Sequence, residues 1–129
     1  MGRTERRRLL KGIGSLVGRA ENSVQNYVLQ RLKFLENMGK CYYSRNNSFS
    51  GRMVRWNGSQ GVVNNAKPGA PDILAVFEDG IYTGIEIKSA IGKQSPIQKE
   101  TEIIINQLKG RYWIVRSPED FETYLATIL

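Results

Sequence analysis

Histidine is absent from the 129 residues of this chain. Without an imidazole, the chain cannot form a serine or cysteine nucleophile that histidine activates, and it cannot form a histidine-based zinc or nuclease site. The single cysteine, Cys41, excludes an internal disulfide and a cysteine-rich zinc site. Its place in an apolar, strand-like run favours a small buried residue over a reactive thiol. Any catalysis by this chain must therefore rely on carboxylates, lysine and a hard metal ion.

Long hydrophobic runs are also absent. The apolar runs are far too short to cross a bilayer, so no membrane segment is expected. A secretory signal is not expected either, because Lys11 and three glycines interrupt the region after the basic N-terminus. With 129 residues and 40% hydrophobic residues, the chain has the size and composition of one soluble globular domain.

The net charge of +7 is unevenly distributed along the chain. Residues 1–19 contain six basic residues and one acidic residue, whereas residues 20–129 contain thirteen basic and eleven acidic residues. We therefore divide the chain into a basic N-terminal arm, residues 1–19, and a domain, residues 20–129. The arm is predicted to contact the phosphate backbone of a nucleic acid, with a solubilising tail as the alternative. Its apolar residues follow helical spacing, which predicts a helix that needs a partner surface in its own chain or in a second copy.

Periodicity and cap signals predict alternating helices and strands in the rest of the chain. A helix is predicted over residues 19–38, ending at Gly39, with a buried stripe of valines and leucines. Ser95, Pro96 and Gln98 form the capping-box signal of a second helix. The other predicted elements are strands at 41–45 and 53–56, an irregular loop at 57–69, strands at 73–77 and 81–88, a strand at 111–116 and a final helix after Ser117. Together they predict an α/β fold in which helices flank a central mixed β-sheet.

Two expectations concern apolar side chains outside the central strands. The second helix is expected to bury one apolar stripe, formed by Ile97, Thr101, Ile104, Ile105 and Leu108. Trp56 adjoins the predicted irregular loop, near several basic residues. Two interpretations of Trp56 remain open, an ordinary core residue or a platform on which a nucleic-acid base stacks.

The segment around Glu78-Asp79-Gly80 predicts a β-hairpin. A two-residue loop would place Asp72 and Glu86 on opposite faces of the sheet. A three-residue loop, with Gly80 in the left-handed conformation, pairs Phe77 with Ile81 and places Asp72 opposite Glu86, with their Cβ atoms ~5 Å apart. The same register collects a set of apolar residues on the other face: Ile73, Ala75, Phe77, Ile81, Ile85 and Ile87. Hydrophobic pattern and chemistry therefore favour the three-residue loop.

Two carboxylates and a lysine on this hairpin are the components of a divalent-metal nuclease. Mg²⁺ and Mn²⁺ prefer oxygen ligands, which Asp72 and Glu86 would provide beside a scissile phosphate. Lys88 projects from the same face as Glu86 and would position or help deprotonate the attacking water. The alternative for these three residues is an exposed cross-strand salt bridge, worth less than ~1 kcal/mol. Glu21 is either a carboxylate favoured by the helix dipole or a third acid of the site.

The residues Pro71-Asp72, thirteen intervening residues and then Glu86-Ile87-Lys88 resemble the PD-(D/E)XK nuclease signature. Their surroundings extend this resemblance over residues 20–126 to the VRR-NUC family, the virus-type replication-repair nucleases. The segments that carry it are Glu21, 45–48, 69–72, 95–98, 110–116 and 117–120. The resemblance implies a restriction-endonuclease-like core with a central mixed sheet. The basic arm lies outside it.

The resemblance also implies a role for each matched residue. It makes Asp72 and Glu86 metal ligands with the backbone carbonyl of Ile87, Lys88 the catalytic lysine, Glu21 the helix acid and Gln98 the glutamine that follows the signature. The implied cofactor is Mg²⁺ or Mn²⁺. Gln98 has two competing tasks, because its side chain is expected to satisfy the helix cap or to turn towards the metal, but not to do both fully.

Small free-standing relatives of this type are linked to phages and bacteria and to homodimers that cut four-way junctions. The resemblance therefore implies a Holliday junction resolvase that acts in DNA repair in the cytoplasm of a bacterium or a phage-infected host. The alternatives are a flap or nicking endonuclease and a non-catalytic DNA-binding module. The candidate contacts to branched or duplex DNA are Arg3, Arg6, Arg7, Arg8, Lys11, Arg45, Asn46, Arg52, Arg55, Lys67 and Lys93.

Overall fold

A computed structural model describes residues 21–46, 50–64 and 67–129, with side chains for all of these except 50–53 and 62–64. Five candidate DNA contacts belong to the basic arm and lie outside these ranges: Arg3, Arg6, Arg7, Arg8 and Lys11. The side chain of Arg52 lies outside the described part as well. Within these ranges, no helix is long and apolar enough to cross a membrane.

The elements follow the predicted alternation of helices and strands with one addition. In chain order they are α1 (residues 21–37), β1 (Cys41–Arg45), β2 (Ser50–Val54), β3 (Gln60–Asn64), β4 (Ile73–Phe77), β5 (Tyr82–Ile87), α2 (Pro96–Gln107), β6 (Arg111–Val115) and α3 (Pro118–Ala126). Helix α1 ends where the sequence predicts, because Gly39 adopts a φ of 72°, a conformation that a side chain would strain. Ser95 and Gln98 form the predicted capping box at the start of α2.

Four strands form a mixed sheet in the order β1-β4-β5-β6. The first three pair antiparallel, and β5 pairs parallel with β6 through the crossover helix α2. Strands β2 and β3 form a separate two-stranded sheet. The prediction of a central mixed β-sheet flanked by helices is therefore confirmed.

The hairpin register is the predicted one. Ile73 pairs with Ile85, and Val76 pairs with Tyr82. The loop closes through the Gly80 N–H, which donates to the Phe77 carbonyl at 2.9 Å, and Gly80 has a φ of 75°. Continuing this pairing by one residue beyond Ile73 places Asp72 opposite Glu86.

One face of the sheet packs against α1 and α3 and forms the core. The core side chains of the described residues are Val24, Val28, Leu32, Leu35, Ile73, Ala75, Phe77, Ile85, Ile87, Trp113, Val115, Phe121 and Leu125. Trp113 is at its centre, since its ring stacks on Tyr124 with centroids 5.0 Å apart and contacts Phe77 and Phe121. Five of the six predicted core residues of the hairpin are buried. Ile81 is the exception, because it lies in the loop beyond the last strand pair and is exposed.

The prediction of an irregular loop over residues 57–69 was wrong. The chain turns at 55–59 and returns as β3, which pairs with β2. The predicted strand at 53–56 is the end of β2, displaced by three residues. Trp56 is 98% exposed in the turn between the two strands, so its interpretation as a core residue was wrong as well.

The predicted burial of the α2 stripe was also wrong. No residue of α2 is fully buried, and Leu108, which follows it, is 78% exposed. Ile97 and Ile104 are about half exposed, whereas Thr101 and Ile105 are partly covered. Helix α2 instead makes close contacts with two glycines outside the strands, since Gly69, in the turn before β4, approaches Ile97 and Thr101, and Gly110, between α2 and β6, approaches Ile105. The exposed apolar face of α2 consists of Ile97, Ile104 and Leu108, while Ile103 is exposed on another side of the helix.

Candidate active site

The candidate site lies on the sheet face opposite the core, at the C-terminal end of β5. Glu86 is on β5, and Lys88 follows two residues later on the same face. Asp72 precedes β4, and its Oδ2 accepts a hydrogen bond from the Ile87 N–H at 2.8 Å. The Lys88 N–H donates to the Val115 carbonyl at 3.0 Å, which continues the pairing with β6 to the lysine. The sheet itself therefore fixes the backbone of all three residues.

Glu86 is a buried carboxylate with three polar neighbours. It is 3% exposed. Its Oε2 accepts from the Tyr112 hydroxyl at 3.0 Å, and its Oε1 accepts from Gln98 Nε2 at 2.9 Å. Lys88 Nζ lies 4.0 Å from Oε1. Each carboxylate oxygen of Glu86 is thus held by at least one donor, which fixes the orientation of the group.

Burial raises the pKa of Glu86 to about 7, and the negative charge of Asp72 adds to this effect. The Tyr112 hydrogen bond and the Lys88 charge oppose it but do not cancel it. The site therefore holds more negative charge than its own cation balances. A carboxyl group with such a shift beside a second acid is typical of functional sites.

The donor set fits a divalent metal of the Mg²⁺ or Mn²⁺ type. Two carboxylates and nearby backbone carbonyls are hard oxygen donors, and the excess negative charge favours a cation. Within the described ranges, no group of three or more His, Cys, Asp or Glu side chains could hold a metal. The chain's own carboxylate contribution is thus the pair Asp72 and Glu86. Such a pair suits Mg²⁺, which keeps several waters and takes further ligands from substrate phosphates.

Gln98 performs both of the tasks that we expected to compete. Its Oε1 accepts from the Ser95 N–H at 2.9 Å, and its Nε2 donates to Glu86 at 2.9 Å. The expectation that Gln98 could not do both was wrong, because the two ends of one amide carry an acceptor and a donor. The capping box of α2 therefore also orients the buried carboxylate.

Tyr112 is a site residue that the sequence did not indicate. It is 8% exposed, and its ring packs beside Gly84, the residue with which it pairs between β5 and β6. A side chain at Gly84 would collide with Pro71 and contact the Tyr112 ring. A glycine inside a strand often marks such a close approach, and this was the one signal available in the sequence.

Replacing Tyr112 by Phe removes the hydroxyl that holds Glu86 and keeps the packed ring. We expect Tyr112→Phe to weaken Mn²⁺ binding by about tenfold or more, because partners that orient a metal ligand typically have effects of this size. Isothermal titration calorimetry of the purified protein with MnCl₂ measures this.

Tyr27→Phe is the matched control, because the Tyr27 hydroxyl donates to Glu122 at 2.6 Å between α1 and α3, outside the site. Equal Mn²⁺ affinity of the wild type and Tyr112→Phe would contradict the orienting role.

The other predicted site residues are placed less closely around the carboxylates. Glu21 lies at the start of the described part of α1, is partly exposed and is not brought into a metal-holding group with Asp72 and Glu86. Asn46 donates from its backbone to the Asp72 carbonyl at 2.7 Å and from its side chain to the Pro71 carbonyl at 3.3 Å. It therefore fixes the backbone that leads to Asp72.

The basic candidates in the described part occupy different surroundings. The side-chain amide of Gln25 is oriented so that its oxygen accepts two hydrogen bonds from Arg45, from Nε at 3.1 Å and from Nη2 at 2.9 Å. Arg55 donates to the Gln60 carbonyl within the β2–β3 sheet. Lys67 and Lys93 are exposed. Arg45 and Lys67 are the two that line one groove beside Asp72.

Comparison with known proteins gives one structural match. A solved structure described as a VRR_NUC domain superposes with a TM-score of 0.61 at 18% sequence identity. The match covers 85% of this chain and 98% of that chain. No protein-family model and no curated protein sequence matches the chain. The chain therefore has the fold of this VRR_NUC domain structure, an α/β fold in which helices flank a mixed four-stranded sheet.

Proposed function

We propose that this chain is a metal-dependent DNA endonuclease of the VRR-NUC family that hydrolyses phosphodiester bonds. The observation that carries the proposal is the arrangement of Asp72, Glu86 and Lys88 on one hairpin, two facing carboxylates with a lysine beside them. The fold shared with a VRR_NUC domain supports it. An exposed salt bridge does not explain the site, because Glu86 is almost fully buried.

Each residue has a distinct part in the proposed mechanism. Asp72, Glu86 and the carbonyl of Ile87 would hold Mg²⁺ or Mn²⁺, which neutralises charge on the scissile phosphate when bound. Lys88 positions the attacking water and helps to remove its proton, or balances the charge of the transition state. Gln98 and Tyr112 keep the Glu86 carboxylate in one orientation. Helix α2 and the β5–β6 pair thus supply a rigid frame for the reaction.

We further propose that the enzyme acts as a homodimer on four-way junctions in a bacterial cell or a phage-infected host. Two sites related by a two-fold axis suit the symmetric incision of a symmetric branched substrate. The exposed apolar face of α2 supports self-association, because a contiguous row of exposed Ile and Leu side chains on one helix face is typical of an interface. Glu21 remains a proposed acid of the site, and the basic arm a proposed DNA contact.

A panel of labelled DNAs tests the function. Four-way junction, 5′ flap, nicked duplex and intact duplex are incubated with the protein in Mg²⁺, in Mn²⁺ and in EDTA. Paired symmetric incisions of the junction, dependent on metal, are the expected result, together with a dimer mass in sedimentation velocity. Single-strand incisions by a monomer would favour the flap or nicking endonuclease. Binding without incision in either metal would favour a non-catalytic DNA-binding module and contradict the proposal.

A further inference from the structure

A groove with a volume of about 310 Å³ adjoins the candidate active site on the outer face of the sheet. We call it the Tyr82 groove. The residues that define it are Arg45, Asn46, Lys67, Pro71, Leu74 and Tyr82. Asn46 and Pro71 belong to its wall and also fix the backbone at Asp72 through the Asn46 hydrogen bonds. The groove is therefore continuous with the backbone that carries a proposed metal ligand.

The cationic side of the groove favours an anion. Lys67 and Arg45 line the groove and are exposed, and none of the described residues that line it is a carboxylate. Arg45 pairs with the core residue Ile73, and its guanidinium donates to the Gln25 oxygen of α1, so it points to the inner face of the sheet. Lys67 is therefore the cation of the groove, and an exposed ammonium is suited to a phosphate group.

The other side of the groove is aromatic and apolar. Tyr82 is 40% exposed, and Leu74, which lies diagonal to it across the β4–β5 pair, also lines the groove. An exposed aromatic ring beside cations is the combination with which proteins bind single-stranded nucleic acid, since a base stacks on the ring while its phosphate meets the charge. A volume of about 310 Å³ is at the small end of ligand pockets and suits one nucleotide rather than a duplex.

We propose that the Tyr82 groove takes an unpaired nucleotide next to the scissile phosphate, with its base on Tyr82 and its phosphate at Lys67. This inference rests on the proposed nuclease function and adds the origin of its selectivity. The bases of an intact duplex are stacked and paired, so none can enter the groove without an energetic cost. A flap offers nucleotides that are already unpaired, and the base pairs at the exchange point of a four-way junction open at a lower cost than those inside a duplex. Seating one such nucleotide beside Asp72 would place the adjoining phosphate at the carboxylates.

Substitutions of Tyr82 test the stacking contact. Tyr82→Ala is expected to weaken binding of a 5′ flap or a four-way junction by about tenfold or more, because loss of an aromatic platform has effects of this size. Tyr82→Phe keeps the ring and should bind like the wild type. Tyr42→Ala is the matched control, since Tyr42 is exposed on the same sheet face but does not line the groove. Fluorescence anisotropy in Ca²⁺ gives the affinities, and incision in Mn²⁺ gives the ratio of branched to nicked-duplex rates.

A second variant tests the phosphate contact without touching the ring. Lys67→Gln is expected to weaken binding to all of the DNAs and to lower the slope of log affinity against log salt by about one. Lys33→Gln is the control, because Lys33 is an exposed lysine on α1 that does not line the groove.

The outcomes separate this inference from the proposed function. If the wild type incises branched DNA and Tyr82→Ala keeps both its affinity and its preference for branches, the groove is not the subsite, while the nuclease function stands. A loss of branch preference in Tyr82→Ala and not in Tyr82→Phe supports the subsite. If the wild type incises none of the DNAs, the function fails and the subsite fails with it.

Discussion

Lys88→Ala is expected to lower the rate of metal-dependent DNA incision by two orders of magnitude or more and to leave DNA affinity nearly unchanged. A positioned acid–base group contributes about 10² to 10⁴ in rate, and a group that balances transition-state charge contributes a similar factor. Lys88 is partly buried, with its Nζ 4.0 Å from Glu86 Oε1. A lysine in this position contributes little to the exposed surface that binds the DNA backbone, so its loss should affect the rate rather than the affinity.

Single-turnover incision at saturating protein measures the rate, and anisotropy in Ca²⁺ measures the affinity. Lys99→Ala is the matched control, because Lys99 is an exposed lysine on α2 that no contact ties to the site. Lys88→Arg adds a second distinction. It keeps the charge but cannot give up a proton near neutral pH, so recovered incision would favour charge balance over proton transfer. Incision by Lys88→Ala at the wild-type rate would show that the role assigned to this lysine is wrong.

The sequence was sufficient to predict the hairpin because several local requirements agree there. Gly80 can adopt the left-handed conformation that the three-residue loop requires, and the alternating apolar residues favour the same register. Ser95, Pro96 and Gln98 are equally local signals, and they start α2 where the structure has it. The proximity of Asp72 and Glu86 follows from that register alone, before any long-range contact is known.

The errors arise where a contact between distant segments decides the structure. Strand β3 was missed because its glycine and asparagine have weak strand propensity, and its partner β2 supplies the pairing. Burial of the α2 stripe was inferred from periodicity, but periodicity shows only that a helix is amphipathic, not which side meets the sheet. Tyr112 reaches Glu86 across a parallel strand pair, 26 residues away in the chain. Pattern analysis of a single segment cannot predict such a contact.

Asp72→Asn is expected to abolish incision. It is also expected to change the stability of the metal-free protein, relative to the wild type, more favourably at pH 8 than at pH 4.5. The reason is the shared charge of the site. Burial raises the pKa of Glu86 from 4.5 to about 7, and the Asp72 charge is the next largest cause. The folded protein thus binds more protons than the unfolded chain between these two pH values, so stability falls as pH rises through this window. Above pH 7, ionised Glu86 lowers the stability of the folded protein by the full amount, on the order of 3 kcal/mol.

Removing the Asp72 charge should reduce that cost by about 1 kcal/mol, or roughly 3 to 5 °C in Tm for a domain of this size. The asparagine also weakens the hydrogen bond from the Ile87 N–H, but this loss is present at both pH values and cancels when the two are compared. The difference in Tm between Asp72→Asn and the wild type, measured in EDTA at pH 4.5 and at pH 8, therefore isolates the repulsion between Asp72 and Glu86. Glu86→Gln should flatten the same pH dependence, because it removes the titrating group.

Asp79→Asn is the control for removing a carboxylate that has a partner. Asp79 makes two hydrogen bonds to Arg111, at 2.6 and 3.1 Å, and this contact lowers its pKa. Asp79→Asn should therefore not stabilise the protein at pH 8. Adding Mn²⁺ at pH 8 should raise the Tm of the wild type more than that of Asp72→Asn, since a cation stabilises the folded state by binding to the same carboxylates. If Asp72→Asn changed stability equally at both pH values, the two acids would not repel each other, and the excess charge that favours a metal would be absent.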